Sequence, residues 1–263
     1  MSDRRARFVI RSMILVGVAA TLIGSAAIIG ARGWDGFAAH NAPLAIVWSG
    51  SIGLIAWLAS RQSHSALVWV LAVSVLGNGC YPLGEAARLV LDPAGPLNIA
   101  VDSIAPADMP PRAALVASIT LAIASSTSLL FNVFALLLFP NGRLPSPRWR
   151  PVALAVVAAA LWSFVVNLVV WGPASTVVPE DHALWGFSTT FNLIGIPLGL
   201  LSLVIRYRGA PATEQAQIKL LLWAGCLFLP ALFAGSALGD PLFLVGGSVA
   251  LFGAYGVAIV RHN

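Results

Sequence analysis

Charged side chains are scarce in this sequence, and their scarcity indicates the class of protein. Only 10% of the 263 residues are Asp, Glu, Lys or Arg, whereas 59% are hydrophobic. A soluble domain usually carries about 25% charged residues, so this chain has too few to cover a surface in water. Cysteine is scarce too. Cys80 and Cys226 fall at different depths of their predicted helices, so we expect two free thiols.

Catalytic and cofactor patterns are missing as well. The sequence has no HExxH, Walker, GxSxG or EF-hand motif and no Cys/His spacing typical of a metal site. Every histidine falls in a loop or at the terminus. We therefore expect no enzymatic activity and no cofactor. Glu180-Asp181-His182 comes nearest to a metal or proton site, but we interpret it as a solvated loop, with the site as the alternative.

The sequence contains several long stretches without a charged residue. About 20 apolar residues are enough for a helix to cross a bilayer core. We predict an all-α, polytopic helical membrane protein of about eight spans, with a single integral membrane domain over residues 1–263. The predicted spans cover residues 12–31, 43–60, 66–84, 113–139, 151–171, 185–205, 219–238 and 242–260. The first run follows four arginines, so a cleaved signal peptide is the alternative to an uncleaved first span.

The longest predicted outer loop is Glu85 to Arg112. We expect it to begin with a short surface helix over residues 85–91 and then to break at its prolines. Each proline fixes φ and removes a hydrogen-bond donor, which argues against a folded extracellular domain. No Asp, Glu, Lys or Arg lies in the middle of a predicted span, where ion-coupled carriers usually keep an ionisable group.

The basic residues orient the predicted spans. Twelve of the fifteen Lys and Arg fall on one side, and only Arg32, Arg88 and Arg112 fall on the other. Short loops rich in Lys and Arg stay in the cytoplasm, so we predict a multi-pass plasma-membrane protein with both termini inside. The bilayer and its anionic inner headgroups are the expected partners. Nucleic acid is not expected, because no basic run with interleaved aromatics occurs outside the spans.

Hydroxyl and amide groups are the polar content of the fourth predicted span. Ser118, Ser125 and Asn132 repeat every seven residues, and Ser128 shares their helical face. This face is a candidate for hydrogen bonding between packed helices. The alternative is a path for a polar ligand.

Three asparagines define a second candidate site. Asn78, Asn167 and Asn192 fall in the outer third of the third, fifth and sixth predicted spans. If these helices are neighbours, the three amides would line a pocket open to the outside.

Two inner loops carry candidate coupling and orientation residues. Pro140-Asn141-Gly142 has the chemistry of a turn that ends the fourth span. The candidates in the two loops are Arg143, Arg148, Trp149 and Arg150, followed by Arg206, Arg208, Glu214 and Lys219. Arginine contacts with headgroups and a tryptophan anchor at the interface explain the first loop as an orientation signal. Coupling of span movement to a partner is the alternative.

Residues 138–150 resemble the inner loop in the membrane regions of actinobacterial sensor histidine kinases. That loop typically reads Leu-Phe-Pro-Asp-Gly-Arg-Leu-Pro-Ser before a basic, tryptophan-containing entry to the next span. Here Asn141 stands where Asp is usual. Arg206-Tyr207-Arg208, followed by residues 214–219, is similar to the family's basic stretch leading into Glu-Arg-Gln-Gln-Leu-Lys-Trp. Residues 256–262 are similar to the exit of the family's last span.

The resemblance implies a signal-input module of a two-component system. In the family, this membrane region precedes a cytoplasmic helix with the phospho-accepting histidine and then an ATP-binding domain. Residues 1–263 contain no glycine-rich nucleotide segment, so kinase activity is not carried over. The module is expected to be truncated from a longer kinase or to stand alone, with a kinase or a second copy of the chain as the candidate partner. The alternatives are a small-solute facilitator or transporter, and an accessory subunit of a membrane complex.

Overall fold

Helices are the only regular secondary structure in the part of the chain that the structure describes. The computed structural model describes residues 3–39, 42–62, 64–95, 108–176, 183–238 and 249–258. Its helices are α1 (Asp3–Ala39), α2 (Ala42–Ala59), α3 (Ala66–Leu91), α4 (Pro111–Leu138), α5 (Arg150–Val170), α6 (Ala183–Gly209), α7 (Ala212–Leu238) and α8 (Val249–Ala258). No strand occurs in these residues, and the predicted all-α class is confirmed.

Several helices have the length and composition of membrane spans. Within the described residues four segments qualify, and they are Asp3–Trp34, Ala66–Leu91, Pro111–Leu138 and Pro147–Val170. Two shorter apolar helices cover Ala45–Ala59 and Val249–Ala258. An all-helical chain with four candidate membrane-spanning helices is confirmed for the described residues, whereas the count of eight spans remains a prediction. Helices α4 and α5 lie close to the predicted limits 113–139 and 151–171.

Helix α3 is longer than its predicted span. It continues past Gly84 to Leu91, with Pro82 inside it. The expected surface helix over residues 85–91 is therefore wrong, because Glu85 and Arg88 are almost fully buried in the continuation of α3. Arg88 Nη2 lies 3.1 Å from Glu85 Oε2. A buried charge is tolerated when it is paired in this way.

Glycines bring α1 and α3 into backbone contact. A Cβ atom built on Gly17 would lie 2.5 Å from the carbonyl oxygen of Val75, and one on Gly79 would lie 2.2 Å from the carbonyl oxygen of Gly17. Two helical turns further along α1, a Cβ on Gly24 would lie 2.3 Å from the carbonyl carbon of Pro82. Small residues permit this close approach of helices in membranes. The α1–α3 interface therefore depends on these glycines.

Helix α4 packs against the opposite side of α3, also at glycine residues. A Cβ on Gly77 would lie 2.1 Å from Thr127 Oγ1, and one on Gly84 would lie 2.0 Å from Thr120 Oγ1. The two threonine side chains thus fill the space that the glycines leave. Both hydroxyls donate to carbonyl groups of their own helix, so neither is buried without a partner.

Aromatic rings connect α2, α4 and α8. The rings of Trp48, Phe131 and Phe252 lie 5.8–6.4 Å apart between centroids. Nearer the end of α4, Phe139 is fully buried and meets Tyr255 edge to face at 5.2 Å. Such offset pairs add to the stabilisation from burial alone. These contacts position α8 against α2 and α4.

One end of the helix bundle, here called the basic end, collects four segments of the chain. Within the described residues they are 3–11, 60–62 with 64–66, 139–150 and 206–217. The first two meet through a 2.7 Å contact between His64 Nε2 and Asp3 Oδ1, and through a 3.1 Å hydrogen bond from Arg11 to Ser60. The third meets the start of α3, since a Cβ on Gly142 would lie 2.3 Å from Ser65 Oγ.

Candidate functional site

The two inner loops singled out by sequence meet at the side chain of Arg206. Its Nη2 donates to the carbonyl oxygens of Leu137, at 2.8 Å, and of Arg143. Its Nη1 donates to the carbonyl oxygen of Phe139 and, at 3.2 Å, to Asn141 Oδ1. We call this arrangement of one guanidinium and four oxygens the arginine clamp. It joins the last turn of α6 to the last turn of α4 and the loop that follows.

The end of α4 explains why an arginine is suited to this place. The last carbonyl groups of a helix have no partner within it and carry partial negative charge. Arg206 supplies a donor to the carbonyl of Leu137 and to that of the capping residue Phe139, and the Gly142 N–H donates to the carbonyl of Leu138 at 2.7 Å. Partial burial lowers the pKa of Arg206, while the charge of Glu214 acts in the opposite direction. An arginine remains charged under both influences.

The loop after α4 has its own turn structure. Asn141 Oδ1 accepts a hydrogen bond of 3.2 Å from the Arg143 N–H, in the manner of an Asx turn. Gly142 has φ of +72°, a backbone conformation that favours glycine. One side-chain oxygen of Asn141 therefore both closes the turn and accepts from Arg206. The sequence indicated the turn but not its contact with α6.

The side chains of the other candidate loop residues lie outside the arginine clamp. The side chains of Arg143, Arg148, Arg150, Arg208 and Lys219 are exposed, and those of Trp149 and Glu214 are half-buried. Beside Glu214 and Lys219, the buried Gln217 donates to the carbonyl oxygen of Ala258 at 2.9 Å. That bond connects the start of α7 to the end of α8. Sequence reasoning did not assign Gln217 a role.

The predicted polar face of α4 contacts several neighbours. Ser125 accepts a hydrogen bond of 3.0 Å from Asn167 of α5, and Ser128 donates at 3.4 Å to Asn78 Oδ1 of α3. Ser118 is buried and donates to a carbonyl of its own helix. The hydroxyl groups of α4 thus bond across two helix interfaces.

The last member of that face, Asn132, lines a different space. It faces a small cavity of about 40 Å³ that also involves Tyr255 and residues of α6 and α7. This volume is sufficient for a water molecule. The hydroxyl of Tyr255 is buried and has no hydrogen-bond partner among the described residues.

The structure describes the side chains of two of the three asparagines of the candidate pocket. Asn78 and Asn167 both bond to serines of α4, one from α3 and the other from α5. Asn192 belongs to α6, and its side chain lies outside the described residues. A pocket shared by all three therefore stays a prediction.

A cavity of about 270 Å³ adjoins the amide of Asn78. Its lining comes from α2, α3 and α4 and consists of Ala45, Trp48, Asn78, Tyr81, Leu121, Ala124, Ser125 and Ser128. No ionisable carboxylate, lysine or arginine is among these residues. The cavity lies near the middle of α3 and α4, towards the end of the bundle opposite the basic end. We call it the Asn78 cavity.

The buried pair Glu85–Arg88 was missed by sequence reasoning. Both residues lie on the helical face that carries Asn78 and Tyr81, at offsets of three and four residues. That spacing was the available signal, since opposite charges three residues apart on a polar face indicate a pair directed inward. Tyr81 lies within electrostatic range of both charges. A polar stripe thus continues from the Asn78 cavity along α3.

Two further expectations concern cysteine and the acidic triplet. Cys80 and Cys226 are free, as predicted. Glu180, Asp181 and His182 lie outside the described residues. No family model, curated protein or solved structure matches this chain.

Proposed function

We propose that this chain is a multi-pass protein of the plasma membrane that acts as a non-catalytic signal-input module. Eight helices cross the bilayer, both termini are cytoplasmic, and the basic end faces the cell interior. The module resembles the membrane half of two-component sensor kinases. Its output passes to a kinase, either on the same polypeptide or as a partner, or through a second copy of the chain.

The arginine clamp is the observation that carries this proposal. Arg206 is bonded to oxygens 63–69 residues earlier in the chain. A displacement of α6 relative to α4 breaks or re-forms these bonds and so changes the loop over residues 139–143. Hydrogen bonds to a charged group contribute about 1.5–3 kcal/mol each, enough to favour one of two loop arrangements. The loop then presents a different surface to its partner.

The exposed arginines of the same loop fit a position at the membrane surface. Arg143, Arg148 and Arg150 extend from the basic end, and Trp149 is half-buried beside them. Basic side chains near an anionic leaflet contribute about 1 kcal/mol each. Attraction of this kind keeps the loop close to the headgroups while the guanidinium of Arg206 fixes its inner side.

The orientation is tested first. A reporter whose activity depends on the side of the membrane is inserted after Arg143 in one fusion and after Gly172 in another. We expect the first to report the cytoplasm and the second the exterior. An external location for the Arg143 insertion contradicts the proposed topology and, with it, the coupling role of the loop.

The signalling role is tested in the organism of origin, by comparing phosphorylated response regulators in strains carrying different forms of the gene. Arg206→Ala removes the clamp. Arg208→Ala is the matched control, because it removes the same charge from an exposed position two residues away. We expect Arg206→Ala to change phosphorylation as deletion does, and Arg208→Ala to resemble wild type. If deletion itself changes no phosphorylation signal, the proposed function is wrong.

A facilitator for small uncharged solutes is the second candidate, and the Asn78 cavity favours it. A cavity in mid-bundle lined by amide and hydroxyl groups is one part of a solute path. Proteoliposomes distinguish the two functions. A facilitator accelerates the entry of glycerol or urea over protein-free liposomes, whereas an input module leaves the entry rate unchanged.

A further inference from the structure

The amide of Asn78 has unused hydrogen-bonding capacity in the Asn78 cavity, which the hydroxyls of Tyr81 and Ser128 also line. A side-chain amide offers two N–H donors and two acceptor lone pairs. Asn78 uses one N–H, on the carbonyl oxygen of Ser74 at 2.9 Å, and one lone pair, on Ser128 at 3.4 Å. Because a carbonyl only accepts, the Ser74 bond also fixes which end of the amide carries the nitrogen. One donor and one acceptor of Asn78 therefore remain free among the described residues.

The neighbouring hydroxyl of Ser125 is fully used. It donates to the carbonyl oxygen of Leu121 at 2.7 Å and accepts from Asn167 at 3.0 Å and from Ser163 at 3.4 Å. A hydroxyl has one donor and two lone pairs, so nothing is left for a ligand. Ser125 is therefore excluded as a ligand contact, which leaves the amide of Asn78 and the hydroxyls of Tyr81 and Ser128.

The rest of the lining determines what else a ligand must have. Leu121 and Ala124 contribute apolar surface, and Trp48 contributes an aromatic wall. Among the described residues no charged side chain lines the cavity, so an ionised ligand would be buried there without a counter-charge, which is strongly unfavourable. An apolar cavity of about 150 Å³ accommodates benzene. At about 270 Å³ the Asn78 cavity accommodates a ring with one or two substituents.

We propose that the Asn78 cavity binds a small, uncharged, mainly apolar molecule that carries one carboxamide-like group. The amide of that molecule pairs with Asn78, donor to acceptor and acceptor to donor, while its ring lies against Trp48. The binding site itself does not depend on the proposed function. Only the further statement that this molecule is the stimulus rests on the proposed function. Helix α4 lines the cavity and ends in the arginine clamp, so a ligand that shifts α4 acts on the same loop.

The probe that tests the site is 4-bromobenzamide, added to purified protein in lipid nanodiscs. Bromine quenches tryptophan fluorescence at short range, and Trp48 lines the cavity. We expect saturable quenching beyond that seen with free tryptophan in empty nanodiscs. The saturable part should be lost in Trp48→Phe. Absence of saturable quenching in the wild type overturns the proposal.

Asn78→Leu separates the hydrogen bonds from the cavity itself. Loss of the paired hydrogen bonds should lower the affinity for 4-bromobenzamide by about tenfold. The matched probe 4-bromotoluene lacks the amide, so its affinity should be the same in wild type and Asn78→Leu, which also shows that the variant is folded. Asn132→Leu is the matched control, because Asn132 lines a separate cavity. Equal affinity of 4-bromobenzamide for Asn78→Leu and Asn132→Leu overturns the proposal.

Ala124→Phe tests the cavity while keeping the amide. The larger side chain fills the space against Asn78, so binding of both bromine probes should be lost. If either probe binds Ala124→Phe as it binds the wild type, the probe binds outside the Asn78 cavity, and the proposal is overturned. These measurements use purified protein and involve no kinase. If the phosphorylation test fails while the amide-dependent binding holds, the signalling role is wrong and the binding site stands.

Discussion

Replacing Gly17 by alanine tests the packing of α1 against α3. The new Cβ would lie 2.5 Å from the carbonyl oxygen of Val75 and 2.8 Å from the Cα of Leu76, both of them backbone atoms that cannot rotate away. Ordinary contact begins near 3.4 Å, so the two helices must separate locally by about 1 Å. Overpacking of this kind costs about 1–3 kcal/mol.

Gly30→Ala on the same helix is the matched control. A Cβ there meets nothing within 4 Å. Alanine is favoured over glycine in a helix by about 1 kcal/mol, and this gain applies to both variants. The difference between them therefore isolates the packing cost, and we expect Gly17→Ala to be less stable than Gly30→Ala by about 1–3 kcal/mol.

The assay is unfolding of the purified protein in mixed micelles by increasing SDS, followed by tryptophan fluorescence and far-UV circular dichroism. Free energies are extrapolated linearly to zero SDS, as for other denaturants. Coincidence of the two signals supports a two-state transition. Equal stability of the two variants, or a more stable Gly17→Ala, would refute the close approach of α1 and α3.

Two further predictions concern charges. Arg88→Met removes the guanidinium that pairs with the buried Glu85 and should destabilise the protein by about 3–5 kcal/mol, whereas Glu85→Gln combined with Arg88→Met should recover most of that loss in the same SDS assay. Asn141→Asp gives Arg206 a carboxylate in place of an amide oxygen 3.2 Å away. An exposed pair of this kind should add at most about 1 kcal/mol of stability at neutral pH. Because the carboxylate favours the folded state only when ionised, the gain should disappear as acid protonates it; a gain that persists in acid contradicts the clamp geometry.

Much of the architecture follows from local properties of the sequence. Long uncharged runs predict helices that cross a membrane, and the Pro140-Asn141-Gly142 turn ends α4 where expected. Both depend on neighbouring residues only, through hydrophobicity, proline geometry and the positive φ of glycine. The bias of Lys and Arg towards one set of loops likewise needs no tertiary information. It predicts an orientation that the fusions described above can measure.

The candidate sites depended on contacts between distant residues. The sequence selected Arg206 and Asn141 separately, in loops of their own, and only the fold brings the guanidinium to the amide. It likewise selected Asn78 and Ser128 without showing that they are bonded to one another. Glu85 was assigned to a surface helix, although its pairing with Arg88 lets both residues lie inside.

The physical reason is that these helices are apolar on nearly every side. In a soluble protein, the apolar stripe of a helix shows which face is buried. In a membrane, lipid and protein neighbours are similarly apolar, so hydrophobicity does not distinguish the two kinds of face. The sequence by itself therefore determined that the chain has candidate membrane-spanning helices, where these helices turn and which loops are basic. The tertiary structure alone decided which faces meet, through the glycine contacts of α1 with α3 and the bonds of α4 with α3, α5 and α6.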